Sequence, residues 1–492
     1  MNTESKFRQR DLIFIFALGL LFRLALLLLY PVPYGNDAAG RLYFRDTIWT
    51  WHWLPATQFL VHAGYACTKS VFIVRGLFAL AGALAGGAFT AYLQTFASRR
   101  AALLGGVLFT INAQFVFLSL MPYQEVLFLG LLFGGLAFLS KAQERKSYFL
   151  FGSALYGLAC LTRYEAWFLL PILFLAGVWR NKSHWLRAAV ANAIGLGWAP
   201  LLWLAINWWK WDSPTAFLFH RADHQFYAWA PHSDTARILN YLAMMLYWLL
   251  RFGSPLVVLA VTGAVVLWKR RAVLLPKTFP LLWLFVTVML FLIFIAGREF
   301  ATANRFASIP LAIVLVFTAL GADHLLARLE MKWRDARQLA RIKTGAGVVL
   351  LVVLLLYGAV PVAKANQLSE FRTPYLIAQF LQQSLRRGER AIVIGESLDG
   401  AVPMPYQRLY GQLNFSKQTL RCAALLDPQS LSEPLEYIRQ HKVRYLVVFS
   451  GSWQKHENDF KLLNFLTANE QCIRAVFAEK EATVYEVRCT TS

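Results

Sequence analysis

Long apolar runs alternate along the chain with short polar stretches that are rich in lysine and arginine. A helix rises about 1.5 Å per residue, so about 20 consecutive apolar residues cross the hydrocarbon core of a bilayer. This pattern predicts a polytopic α-helical membrane protein with about eleven transmembrane helices, at residues 12–30, 71–93, 101–120, 126–140, 148–161, 166–179, 188–206, 254–268, 278–296, 306–322 and 344–362.

Two polar and aromatic stretches between the predicted spans are long enough to contain structure of their own. They are predicted to be external loops, at residues 31–70 and 207–237. Residues 40–66 mix aromatic with polar side chains, which predicts one or two helices lying in the membrane interface. The second loop contains His220, His224 and His232, but their loose spacing does not favour a metal site.

The pattern changes after the last predicted span. Residues 1–365 are predicted to form a transmembrane domain, and residues 366–492 a small extracytoplasmic α/β domain. The predicted elements of the second domain are strands at Ala391–Ile394 and Tyr445–Phe449, helices at 372–386 and 431–441, and a hairpin of Cys472–Ala478 with Ala482–Arg488. Cys422, Cys472 and Cys489 allow one disulfide in an oxidising compartment, and the sequence leaves the pairing open.

Composition and charge support a membrane location. The chain has 492 residues, of which 58% are hydrophobic and 15% charged, and its formal net charge is +22. Soluble domains contain about a quarter charged residues. The basic residues cluster at alternate turns, which indicates cytoplasmic loops and not a nucleic-acid surface. Lys6, Arg8 and Arg10 place the N-terminus in the cytoplasm, and an odd number of spans then places the C-terminal domain in the periplasm, across the inner membrane.

Acids and arginines recur at turns on the predicted external side. The acids are Asp37, Glu125 and Glu165, and the arginines are Arg163, Arg298 and Arg305. A carboxylate can take the proton of an attacking hydroxyl, and a guanidinium can hold phosphate oxygens in a bidentate fork. These groups suit the transfer of a group from a phosphate-linked lipid. For Arg163 and Glu165 a second interpretation stays open, in which the two pair with each other to reduce the cost of burial.

Six short segments occur in order along these turns. They are the early acid Asp37, Trp51–Pro55 (WHWLP), Val74–Leu77 (VRGL), Pro122–Glu125 (PYQE), Leu161–Trp167 (LTRYEAW), and Asn304–Phe306 followed by Pro310. Together they resemble the GT-C fold glycosyltransferases that use polyprenyl-phosphate sugars. The likeness is to the bacterial branch related to the protein O-mannosyltransferases and the lipid A aminoarabinose transferase, and it is clearest over residues 12–180.

The resemblance implies an inverting glycosyltransferase that moves a sugar from a polyprenyl-phosphate donor to an acceptor hydroxyl on the periplasmic face. It implies that Asp37 is the catalytic base, Glu125 a second active-site acid and Arg305 a ligand of the lipid phosphate. Further candidate substrate-binding residues are Arg163, Glu165, Arg298, His52, Arg75 and Tyr123. The expected partners are the lipid-linked donor, a lipid, protein or glycan acceptor, and membrane lipids, with no nucleic acid. No cofactor is required, although some relatives use a divalent cation such as Mg²⁺ or Mn²⁺.

Two other functions stay open at this level. A flippase or transporter of lipid-linked sugars would be expected to show internal repeats or broken helices in matching halves, and no repeat is evident. A glycan ligase or polymerase would take a pyrophosphate-linked oligosaccharide as its donor, and not a single sugar on a monophosphate.

Overall fold

The computed structural model describes residues 3–49, 53–219, 242–243, 245–251, 256–296, 304–332, 336–394, 409, 419–423, 426, 433–449, 457–479 and 482–488. The chain divides into two compact units. The first comprises Met1–Leu27, Trp49–Phe59 and Gly76–Pro361, and the second comprises Leu28–Ile48, Leu60–Arg75 and Val362–Ser492. The segment that contains Asp37 therefore belongs to the same unit as the C-terminal domain, although in the sequence it lies between the predicted spans at 12–30 and 71–93.

Helices account for nearly all of the described chain before the C-terminal domain. They are α1 (Thr3–Leu29), α2 (Asn36–Tyr43), α3 (Pro55–Thr68), α4 (Val71–Leu93), α5 (Arg99–Ile111), α6 (Ala113–Ser119), α7 (Gln124–Leu139), α8 (Lys146–Cys160), α9 (Leu170–Arg180), α10 (Trp185–Trp211), α11 (Ala216–Phe219), α12 (Leu256–Lys269), α13 (Arg271–Ala296), α14 (Ser308–Lys332) and α15 (Ala336–Gln367). Short 3-10 helices lie at Tyr164–Leu169, Lys182–His184 and Asn304–Ala307. The two helices α2 and α3 confirm the helical prediction for residues 40–66.

The helix lengths confirm a polytopic α-helical membrane protein. Six described helices are long and apolar enough to cross a bilayer, or seven if the bent pair α5–α6 forms one span. The predicted spans at 126–140 and 254–268 are shorter apolar helices, α7 and α12. The predicted spans at 148–161 and 166–179 are the short helices α8 and α9. Helices α7, α8 and α9 and the described part of α12 each have fewer than the about 20 residues that cross a bilayer.

The basic stretch between the predicted spans at 306–322 and 344–362 is largely helical, because α14 continues to Lys332 and α15 begins at Ala336. Lysine and arginine are good helix formers. The end of α14 is also fixed by Arg100, whose Nε lies 2.6 Å from an Asp323 oxygen and whose Nη1 lies 2.6 Å from a Glu330 oxygen.

A buried arginine stabilises the bend between α5 and α6. These helices differ in direction by 54°, and the Asn112 side chain caps α6 by accepting the Gln114 N–H at 2.9 Å. The break frees backbone carbonyls at the end of α5. Arg23 of α1 donates from Nη1 to Thr110 O at 2.8 Å and from Nε to Ser119 Oγ at 2.7 Å. The Arg23 guanidinium therefore stabilises the break between α5 and α6.

Helices α12 and α14 pack with their backbones in close contact. A Cβ atom at Gly263 would lie 1.9 Å from the Phe317 carbonyl oxygen, and one at Gly321 would lie 2.0 Å from the Leu259 carbonyl oxygen. Small residues allow such close approach of apolar helices. No larger side chain fits at either glycine without separating the two helices.

The C-terminal part contains a mixed five-stranded sheet in the order β2-β1-β3-β5-β4. Its elements are α16 (Ser369–Ser384), β1 (Arg390–Ile394), β2 (Leu420–Cys422), α17 (Pro434–Gln440), β3 (Val443–Phe449), α18 (Glu457–Ala468), β4 (Ile473–Glu479) and β5 (Ala482–Val487). Strand β1 is parallel to β2 and β3, whereas β5 is antiparallel to β3 and β4. The predicted strands, helices and hairpin are confirmed, and Cys472 is disulfide-bonded.

Candidate active site

The turn between α8 and α9 is fixed by hydrogen bonds to its backbone carbonyls from three other positions in the first unit. Tyr156 Oη donates to Ala166 O at 2.6 Å, and Trp283 Nε1 donates to Phe168 O at 2.8 Å. The Ala56 N–H donates to Leu161 O at 3.0 Å. Each bond satisfies a carbonyl that would otherwise be left unpaired where the helix is interrupted. The LTRYEAW segment is therefore held in one conformation by α3, α8 and α13.

This turn carries Arg163, which forms ion pairs with two carboxylates. Its Nη1 lies 2.5 Å from a Glu125 oxygen, and its Nε lies 3.1 Å from each Glu165 oxygen. Its Nη2 also donates to Glu165. The exposed fractions of the side chains are 6% for Arg163, 1% for Glu125 and 8% for Glu165. We call these three residues the buried triad.

The triad confirms the pairing of Arg163 with Glu165 and adds Glu125, which lies 38 residues away in sequence. Burial alone would lower the pKa of the Arg163 guanidinium, but Glu165 and Glu125 outweigh burial and raise that pKa above its ordinary value. The guanidinium is therefore charged at any physiological pH. All three of its nitrogens already donate to carboxylates, and the triad has a formal charge of −1, which is unfavourable for a phosphate. This arrangement favours a positioning role for Arg163.

Tyr123 sets the position of Glu125. Its extended backbone, with φ −84° and ψ 143°, makes it the N-cap residue of α7, so Glu125 lies in the first turn of that helix. A negative charge there is favoured by the helix dipole. The Tyr123 ring is buried, 6.3 Å from the ring of Phe117. Tyr123 therefore orients the acid through the backbone, and its predicted substrate contact stays a prediction.

Asp37 lies in the second unit, in the first turn of α2. Gly35 immediately precedes this helix with φ 86° and ψ 129°, a conformation that L side chains rarely adopt. The Ala39 N–H donates to Gly35 O at 2.9 Å and closes the first turn. Asp37 is half-buried between buried neighbours on both sides, at residues 32–35 and 38–43. A glycine-dependent turn thus presents one carboxylate from a segment that is otherwise packed.

Arg75 is buried in the same unit, near the start of α4, and it holds the segment that leads to Asp37. Its Nη1 donates to Pro31 O, and its Nη2 lies 3.3 Å from Tyr30 O. Burial raises the pKa of the adjacent Tyr34 hydroxyl, against the opposing effect of Arg75, so this phenol is neutral. The predicted substrate contact of Arg75 stays a prediction, and the structure adds a role in positioning this segment.

Two further arginines near Asp37 are buried, and neither is among the candidate residues predicted from the sequence. Arg41 is 2% exposed and Arg45 is 0% exposed. Arg41 follows Asp37 by four residues, which places both on one face of α2. The Arg45 guanidinium lies 4.2 Å from the centre of the Tyr65 ring. The available signal was the spacing of Asp37, Arg41 and Arg45 at intervals of one helical turn.

Arg305 lies in the first unit on the 3-10 helix that precedes α14. This helix, Asn304–Ala307, is joined to α14 by a bond from the Ser308 hydroxyl to the Arg305 carbonyl. The Arg305 guanidinium lies 5.0 Å from the centre of the Phe306 ring. Cations stack on aromatic faces in this way without losing access to an anion at the guanidinium edge. Its predicted contact with a lipid phosphate stays a prediction.

Two candidate residues, His52 and Arg298, lie outside the described residues, as do the three histidines of the second predicted loop. Among the residues that the structure describes, no three His, Cys, Asp or Glu side chains lie together as metal ligands. Glu125 and Glu165 are already neutralised in part by Arg163.

Solved structures resemble this chain over most of its length. ArnT from Cupriavidus metallidurans, bound to undecaprenyl phosphate, has a TM-score of 0.60 and 14% identity, with 98% of each chain covered. The oligosaccharyltransferase of Archaeoglobus fulgidus in complex with Zn and sulfate has a TM-score of 0.51 and 13% identity, covering 88% of this chain and 68% of that one. AglB of the same organism, with an inhibitory peptide and a dolichol-phosphate, has a TM-score of 0.50 and 12% identity, covering 90% and 70%. No family model and no curated protein sequence matches the chain.

The long apolar helices and the helical turns between them define a multipass membrane protein. Its fold is that of the membrane-embedded ArnT and AglB proteins, the GT-C fold. The fold expected from the sequence resemblance is thereby confirmed.

Proposed function

We propose that the protein is an inverting glycosyltransferase of the bacterial inner membrane, which moves a sugar from a polyprenyl-phosphate donor to an acceptor hydroxyl on the periplasmic face. The observation that carries this proposal is the common fold over 98% of both chains with an ArnT protein bound to undecaprenyl phosphate. The position of Asp37 in its packed segment gives independent support.

Asp37 is the proposed general base. It is half-buried, and residues 32–35 and 38–43 on either side of it are buried, so the segment that carries it is well packed. The N-terminus of α2 is a favourable place for a negative charge. A general base must be held within hydrogen-bond reach of the proton that it takes. The turn at Gly35 fixes the backbone that carries Asp37.

The reaction is a single displacement. Asp37 takes the proton of the acceptor hydroxyl, the acceptor oxygen forms a bond to the anomeric carbon, and the bond from that carbon to the phosphate oxygen breaks. The electron pair leaves with the polyprenyl phosphate, and the configuration at the anomeric carbon inverts. Arg305 is proposed to hold the phosphate as its negative charge increases, which is the kind of electrostatic stabilisation that contributes most to such reactions.

The test is transfer of labelled sugar from polyprenyl-monophosphate donors by the purified protein. We expect Asp37→Asn to lower the transfer rate about 100-fold or more, since a positioned base contributes about 10²–10⁴-fold. The matched control is Asp46→Asn, which removes an exposed acid nine residues along the same segment and should leave the rate unchanged. Arg305→Gln should raise the KM for the donor, and Arg305→Lys should restore it in part.

The alternative functions predict different results in the same assay. Normal transfer by Asp37→Asn would refute the assignment of the base. Transfer only from a pyrophosphate-linked oligosaccharide would favour a ligase or polymerase. Movement of lipid-linked sugar across liposome membranes without any transfer would favour a flippase.

A further inference from the structure

A cavity of about 910 Å³ lies at one end of the first unit. It is bordered by the ends of α4, α7 and α9 and by the beginnings of α8, α10 and α13. Its volume is within the usual range of ligand sites, about 300–1,000 Å³. None of the three triad residues lines it. The cavity is therefore separate from the candidate active site.

The rim of the cavity is strongly basic. It contains five cationic side chains and one carboxylate, namely Lys141, Lys146, Arg180, Arg187, Lys277 and Glu144. The Lys277 ammonium donates to Thr95 O at 3.0 Å. No carboxylate among the described residues forms an ion pair with Arg180 or Arg187, and both side chains are exposed. The rim thus has an excess of positive charge that the described part of the protein does not neutralise.

The wall of the cavity is apolar. Leu136, Phe149, Ile172 and Leu173 line it, on helices α7, α8 and α9. These helices are apolar segments of a membrane protein, so the wall continues the hydrocarbon surface. A basic rim joined to an apolar wall matches an amphiphile with an anionic headgroup and does not match a free anion, which would leave the wall unfilled.

We propose that this cavity binds an anionic phospholipid, with the headgroup phosphate held by the rim cations and an acyl chain along the apolar wall. Arg180 and Arg187 are the proposed principal phosphate ligands, because one guanidinium group can donate two parallel hydrogen bonds to two phosphate oxygens. A zwitterionic headgroup would cancel part of this attraction. The basic rim lies on the side that the positive-inside pattern assigns to the cytoplasm, so the lipid would come from the inner leaflet. This inference does not depend on the proposed transfer reaction, which concerns the opposite face.

The test compares the binding of phosphatidylglycerol and phosphatidylcholine with identical acyl chains to the purified full-length protein, by native mass spectrometry at several lipid concentrations. We expect phosphatidylglycerol to bind more tightly to the wild type. Arg180→Gln/Arg187→Gln should weaken phosphatidylglycerol binding about 30-fold, or about 2 kcal/mol, since each basic residue near an anionic lipid contributes about 1 kcal/mol. Arg180→Lys/Arg187→Lys keeps the charge but loses the bidentate geometry, so it should bind phosphatidylglycerol more tightly than the glutamine variant and less tightly than the wild type.

The matched control is Lys269→Gln/Arg270→Gln. These two basic residues are exposed at the end of α12 and do not line the cavity, and their substitution removes the same amount of charge. Phosphatidylglycerol binding to the control should change by less than about twofold. An equal loss in the control, or no loss in Arg180→Gln/Arg187→Gln, would overturn the proposal.

Two competitor ligands distinguish the lipid from other sources of phosphate. Inorganic phosphate at the same concentrations should not displace phosphatidylglycerol, and displacement would indicate a simple anion site. Undecaprenyl phosphate is the second competitor, and we expect it to displace phosphatidylglycerol less well than an equal concentration of a second phospholipid does. Preferential binding of undecaprenyl phosphate would overturn the proposal and would favour a role in moving the lipid carrier.

Discussion

The buried triad makes a specific prediction for Arg163→Met. The substitution keeps an apolar stem of similar length and removes the only charge that compensates Glu125 and Glu165 within the triad. Removal of one partner from a buried ion pair costs about 3–5 kcal/mol, because it leaves a buried charge without compensation. Here two carboxylates are left, both at least 92% buried by their side-chain exposures of 1% and 8%. We expect a loss of about 3–5 kcal/mol.

The measurement is thermal unfolding of the detergent-purified protein, followed by the fluorescence of its 17 tryptophans. At roughly 2 °C per kcal/mol for a large chain, the unfolding midpoint of Arg163→Met should fall by about 6–10 °C. Arg328→Met removes an exposed arginine near the end of α14 and should change the midpoint by no more than about 1 °C.

A triple variant separates charge from packing. Arg163→Met combined with Glu125→Gln and Glu165→Gln removes every charge of the triad, and neutral replacement of a buried ionic cluster is often tolerated. We expect this variant to be more stable than Arg163→Met alone. A triple variant that is less stable than the single variant would show that the triad residues act by their shape and hydrogen bonds, and that the electrostatic reasoning is wrong.

Three further substitutions test other features by the same unfolding measurement. Gly263→Ala should lower the midpoint markedly, because a Cβ atom would lie 1.9 Å from the Phe317 carbonyl oxygen. In the control Gly197→Ala, a Cβ atom has no other atom within 4 Å, so the change should be neutral or stabilising. Equal effects of the two substitutions would contradict the close packing of α12 and α14. Tyr156→Phe should cost about 1–3 kcal/mol, since the buried Ala166 carbonyl loses the hydroxyl that donates to it. No change would show that the turn is held by other contacts. Gly35→Ala should cost about 1–3 kcal/mol in stability and also slow transfer, because the φ of 86° is strained for alanine. Normal stability of this variant would show that residue 35 has a different backbone conformation.

Local patterns explain why most of the helices and strands could be predicted from sequence. The apolar runs near α1, α4 and α10 are long and contain few polar side chains, so each indicates a helix without reference to the rest of the chain. The hairpin of β4 and β5 joins neighbouring segments through a short turn, which the alternating pattern also indicates. Strand β2 has only three residues and pairs with β1 across a long separation, so no local signal marks it.

The same distinction applies to the candidate site and changes the assignment of its arginines. The sequence places Arg163 and Glu165 in one turn, and their pairing needs no tertiary information. The contact with Glu125 depends on how α7 and the turn after α8 pack, and it converts a simple pair into a cluster with an excess of negative charge. A guanidinium saturated by carboxylates cannot also be the main phosphate ligand. Arg163 therefore keeps the acidic turn in place, and the proposed reaction assigns the lipid phosphate to Arg305, whose guanidinium stacks on the Phe306 ring.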